Sequence, residues 1–344
     1  MTVTNAPNSV SSDIRSNPSA KPQQVRRGQN TQSKYLAALT LLLLPAISVE
    51  LLTGDTTLRN FFNPIAFVVL TITYGGALLL MRETVVRWGK DFTSVLVFAA
   101  GYGMVNEALT SKGFFDPHFY AVAANGLEGF GRWFGINVPW AVSISIFHAT
   151  FSIIVPLVIV SAIFPGRERW LGNKTYAALM VAFVSTVTFS FRVLSPPATH
   201  YRYNEGPGPL SLILTLLALD IVVAWKLPEL HPRRWPLRLP SPALFGLGIV
   251  YAFAYFVSTP ILHATGSPVA FIALDLLLFA AVPVLLLFKL PEPSSRGKVA
   301  LAAGLLFPMM LTAARGGGPG RVFAAITVVV LIATAWARCP STEP

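Results

Sequence analysis

Ten separate runs of mostly apolar residues divide this chain. Each is about as long as the roughly 17–25 residues a helix needs to cross a bilayer. They fall at 35–53, 62–81, 92–110, 138–164, 174–194, 208–226, 242–263, 267–289, 297–312 and 321–339. A segment in lipid must satisfy its own backbone polar groups, and a helix does so within one stretch of chain. The sequence therefore predicts an all-α polytopic membrane protein of about ten transmembrane helices. Residues 34–340 form the transmembrane domain. Residues 1–33 are rich in Ser, Asn, Pro and Gln, carry Arg15, Lys21, Arg26 and Arg27, and read as a disordered basic tail.

Composition enters as a test of that parse. Only 12% of the 344 residues are charged, against about 25% in soluble domains. No polar stretch is long enough to build a second core. The net charge of +11 would suggest nucleic acid in a soluble protein, but here it follows the topology. With the N-terminus inside, nineteen of the 26 Lys and Arg fall on the inner side and seven on the outer. Each inner loop is richer than each outer one, as the positive-inside rule requires. Both termini are thus expected in the cytoplasm and the chain in the cell membrane, with the lipid bilayer as its first partner. The single cysteine, Cys339, excludes an intrachain disulfide. No metal or cofactor motif is present, so none is expected.

Ionisable side chains inside membranes are costly and usually functional. At 1.5 Å per residue, Glu50 and Glu107 fall about 5 Å below the outer surface. On the same scale His148 lies about 15 Å down and Asp275 about 12 Å down. Asp220 lies deeper, nearer the cytoplasm. The fourth run carries a polar stripe of Ser145, His148 and Ser152. The third carries Gly103, Asn106, Glu107 and Thr110. A carboxylate and an imidazole on facing stripes can share a proton, activate a water, or pin two helices together. The outer loop 111–137 holds Phe114, Phe115, Phe119, Tyr120, Phe130, Trp133 and Phe134. It is expected to lie at the interface, as an anchoring belt or as a cover for the site. Gly75, Gly76, Gly101 and Gly103 are expected to permit close helix packing.

The stretches "PAISVELLTGDTTLRNFFNP", "YGGALLLMRETVVRWG", "GYGMVNEALTSKGFFDP" and "FHATFSIIVPLVIVSAIFP" together resemble a family of bacterial multi-pass membrane proteins without an assigned activity. The likeness covers roughly the first half of the chain. A fainter one is to the CAAX-processing and bacteriocin-processing intramembrane proteases, in which glutamate and histidines activate a water within the membrane. That likeness implies catalytic roles for Glu107, His148 and His200, the last within "HYRYN" together with Asn204. Asn106, Ser111 and Ile144 depart from its motifs, and Lys112 stands next to the position where an arginine is expected.

Three functions remain open on the sequence. One is a hydrolase acting on a membrane-embedded substrate through Glu107, His148 and His200. Another is a proton-coupled transporter of a small solute, built as five plus five helices, with Glu50, Glu107, Asp220 and Asp275 along its path. The last is a scaffold in which Asn106, Ser145, Ser152 and the charges merely pair off. Oligomeric state is not specified.

Overall fold

The computed structural model describes residues 1–2, 31–194, 205–228, 230 and 234–340. Ten membrane-length helices run through it: α1 (Thr31–Leu51), α2 (Pro64–Arg87), α3 (Phe92–Thr110), α4 (Val138–Ile163) and α5 (Asn173–Val193), then α6 (Pro207–Lys226), α7 (Ser241–His263), α8 (Pro268–Lys289), α9 (Ser295–Ala314) and α10 (Pro319–Arg338). The all-α polytopic reading holds. The ninth span is a full helix despite Pro308.

Both ends of the helical domain meet at one end of the bundle. There Lys34 pairs with Glu168 at 2.6 Å and Arg338 donates to the Ile163 carbonyl at 3.1 Å. At the opposite end Arg321 reaches the Thr53 carbonyl and Lys112 pairs with Glu205 at 3.0 Å. The helices are not equivalent. α4 is buried over about two-thirds of its length, whereas α5 and α6 turn nearly all of their apolar surface outward. That is the expected division between a packed centre and lipid-facing flanks, since lipid solvates an apolar helix from any side.

Small residues set the closest approaches. A Cβ on Gly75 of α2 would fall onto the backbone of Leu42 in α1, and one on Gly103 of α3 would fall onto Ser145 of α4. Gly248 and Gly304 bring α7 and α9 backbone to backbone.

α2 extends six residues beyond the apolar run predicted at 62–81. Its last turns bury Arg82 and Glu83, which the run's polarity excluded from the span. Their charges are answered locally. Arg82 bonds Glu83 at 2.5 Å and stacks 3.6 Å over the Trp170 ring. Glu83 accepts from the backbone N–H groups of Trp170 and Leu171 at 2.9 and 3.2 Å. A buried charge persists only when paired and hydrogen-bonded in this way. The cluster latches the α4–α5 loop onto α2.

Six helices contain a wide π-helical turn: Ile47–Leu51 in α1, Thr71–Gly76 in α2, Met104–Thr110 in α3, His148–Ile154 in α4, Ser190–Leu194 at the end of α5 and Leu277–Ala281 in α8. Two of them precede a proline, Pro156 in α4 and Pro283 in α8. A proline lacks the N–H that would close the preceding turn and crowds the carbonyl four residues back. Elsewhere hydroxyls occupy the carbonyls near the irregular turns. Thr73 donates to Val69 at 2.7 Å, Thr110 to Val105 at 3.1 Å and Ser111 to Glu107 at 3.1 Å. Such side chains make broken helical bonding tolerable in lipid.

Candidate functional site

The polar residues of α1 to α4 are gathered at these wide turns. Glu50 lies in that of α1, Tyr74 in that of α2, Asn106 and Glu107 in that of α3, and His148 and Ser152 in that of α4. The turns of α1 and α4 touch, as do those of α2 and α3. Single π turns recur at functional sites because the extra residue re-aims side chains. Here four of them converge.

Glu107 and His148 form the centre. His148 Nε2 is 3.4 Å from Glu107 Oε1. Its other nitrogen, Nδ1, is 2.9 Å from the Ser152 hydroxyl one turn on. The second carboxylate oxygen, Oε2, accepts from the Ser111 hydroxyl at 3.2 Å and from the Trp140 indole N–H at 3.4 Å. Glu107 is 8% exposed, His148 2% and Ser152 0%. Each polar atom of the pair is therefore oriented, and the pair is shielded from bulk water. Tyr102 and Tyr74 pack on the imidazole at centroid distances of 5.6 and 5.9 Å.

Asn106 turns away from the pair. Its amide donates to the Tyr102 hydroxyl at 3.1 Å, which in turn donates to the Thr73 carbonyl in the π turn of α2 at 2.8 Å. It thus supports Tyr102 rather than contacting His148. Glu50 accepts from the Thr56 hydroxyl at 2.5 Å and interacts with the Tyr74 hydroxyl.

The other predicted residues fall elsewhere. Ser145, one turn before His148, packs against Gly103 of α3, one turn before Glu107, so the two polar stripes meet there as well. Asp220 lies against Gly101 of α3, where only a glycine leaves room for its carboxyl. Asp275 is fully buried in α8, beside Ser143 of α4 and near Tyr251 and Tyr255 of α7. It belongs to a second polar group, apart from the Glu107 pair. His200 and Asn204 lie outside the described residues. Their described flanks both meet Lys112, five residues beyond Glu107: its ammonium lies 4.4 Å over the Phe191 ring and 3.0 Å from Glu205.

The α3–α4 connection covers the site. Phe114 and Phe115 are buried beneath it, while Tyr120, Trp133 and Phe134 stay exposed. A short antiparallel pair, β1 (Arg132–Trp133) with β2 (Ile136–Asn137), returns the chain to α4. The loop thus covers the Glu107 carboxylate, which lies against Gly113, and turns three aromatic rings outward. Sequence reasoning missed Tyr74, Tyr102 and Trp140. Trp140 had a readable signal, being two turns before His148 on the same helical face. Tyr74 and Tyr102 had none, since an apolar span hides an inward tyrosine. Among the described residues, no group of three or more His, Cys, Asp or Glu has the arrangement to hold a metal.

Neither a curated protein nor a solved structure matches the chain. Residues 39–202, which carry all four wide turns of the site, match the model of an uncharacterized membrane protein family, and the likeness of the first half of the sequence is to that family.

Proposed function

We propose that the protein is an intramembrane hydrolase in which Glu107 acts as general base and His148 as its proton partner. The observation that carries this reading is the 3.4 Å contact between Glu107 Oε1 and His148 Nε2, with Ser152 holding Nδ1. A carboxylate and an imidazole fixed this way can take a proton from a water and return it to a leaving group. The substrate would be membrane-embedded and would approach beneath the aromatic loop.

The transporter reading draws less support. In the first half close glycine contacts join α1 to α2 and α3 to α4, and in the second one joins α7 to α9. Related halves would place such contacts at corresponding pairs.

The test is turnover in proteoliposomes, using fluorogenic single-span peptides as the probe panel. Cleavage by the wild type that is lost in Glu107→Gln and in His148→Ala supports the assignment. Cleavage retained by both variants overturns it.

A further inference from the structure

The Glu107–His148 pair does not use every acid that reaches it. The wide turn of α1 packs directly on that of α4, and Glu50 sits in it, half-buried. The loop after α1 folds back over this carboxyl. The Thr56 N–H bonds the Glu50 carbonyl at 3.1 Å and the Thr56 hydroxyl bonds its carboxylate at 2.5 Å. Tyr74 of α2 interacts with Glu50 through its hydroxyl, while its ring lies 5.9 Å from the His148 ring and 6.2 Å from the Tyr102 ring. Asn106, next to Glu107, is committed to Tyr102, so α3 supplies one acid only.

We propose that Glu50 is a positioning carboxylate of this site: from the turn of α1 that packs on the turn of His148, it holds Tyr74 against the imidazole and adds a second acid to the site. The site then holds an imidazole and two acids from different helices rather than a simple pair. This rests on the Glu107–His148 reading of the site, not on hydrolysis.

The groups that face Glu50 and His148 are identifiable from each element. α2 contributes Tyr74, α3 Tyr102 and Glu107, the α1–α2 loop Asp55, and the α3–α4 loop Tyr120. From α10, Arg321 reaches Thr53 and acts on Asp55. The Arg321 guanidinium is therefore engaged three and five residues beyond Glu50.

Trp140 provides a native reporter, because its indole N–H bonds Glu107. The full chain in lipid nanodiscs would be titrated from about pH 4 to 9, the range in which carboxylates and imidazoles change charge. The Trp140 signal is isolated as the difference between the wild type and Trp140→Phe. We expect Glu50→Gln to move the midpoint of the Trp140 signal to lower pH by about one unit, as removal of a nearby acid does. Tyr74→Phe, which leaves both acids in place, should move it the same way by less. Glu292→Gln, on an exposed loop at the other end, should leave it in place. An unchanged midpoint in Glu50→Gln beside a moved one in Glu107→Gln overturns the proposal, as does a flat wild-type profile. Turnover is not read. A shifted profile in a protein that cleaves nothing sinks the hydrolase and leaves Glu50 where we assign it.

Discussion

Ser152 donates to, or accepts from, the Nδ1 of His148 at 2.9 Å from one turn further along the same helix. This places the imidazole's tautomer under the control of a fully buried hydroxyl. Whichever partner donates, Nε2 is left facing Glu107 with a defined role. Both residues lie in the π turn before Pro156, so the proline that breaks the helix also sets the geometry of its histidine.

Ser152→Ala should therefore cost stability as well as turnover. It strands one imidazole nitrogen in the interior, a loss of about 1–3 kcal/mol. Thermal unfolding in detergent should show a lower midpoint, and cleavage of the peptide probe should fall without vanishing. A variant as stable as the wild type would mean that the hydroxyl is not engaged with His148 in the membrane.

Glu107→Gln and His148→Ala should differ. The amide keeps the size of Glu107 and can still meet Ser111 and Trp140, so the fold should survive while turnover drops by about 10²–10⁴-fold, the usual share of a general base. His148→Ala leaves a buried carboxyl without its nitrogen partner and opens a gap between Tyr74 and Tyr102. It should lose both turnover and folded yield. Measuring activity per folded molecule, by size-exclusion recovery, separates the two. Equal folded yields would contradict the burial of the pair.

Much of this fold was legible because lipid imposes a single pattern, ten apolar runs, that the sequence cannot disguise. Glu107 and His148 were legible as a pair because their spans are adjacent and their polar stripes lie in the same half of the membrane. Asp275 was not. The depth of Asp275 is similar, but packing puts it behind α4 with Ser143, and depth carries no information about direction around the bundle. The latch of Arg82 and Glu83 stayed hidden because its ligands are backbone N–H groups of Trp170 and Leu171, which no side-chain pattern announces.

The glycine contacts make a sharper test of packing. A Cβ at position 75 would overlap the Leu42 backbone, which has no flexible end to yield, while one at position 76 would meet Leu179 at an ordinary 3.5 Å. Gly75→Ala should push α1 and α2 apart and cost at least the ~1–3 kcal/mol typical of overpacking. Gly76→Ala should be tolerated. Comparing the thermal midpoints of the two variants checks this, and a Gly75→Ala protein as stable as Gly76→Ala would contradict the α1–α2 approach.

At the other end of the bundle, the Lys298 ammonium hydrogen-bonded to Glu292 holds that carboxyl below its ordinary value of 4.5, against a smaller opposing effect of burial. A carboxylate with a lowered folded-state pKa binds fewer protons in the folded chain than in the unfolded one. Its contribution is therefore present above about pH 4.5 and is lost as pH falls through the lowered folded-state value. The pair is well exposed, with side chains 41% and 65% accessible, so solvent screening limits it to the ~0–1 kcal/mol of a surface ion pair. Glu292→Gln should melt slightly below the wild type at neutral pH and converge with it on acidification. High salt should narrow the gap in the same way. A gap that widens as pH falls would show that burial, which favours the neutral acid, governs this carboxyl rather than Lys298.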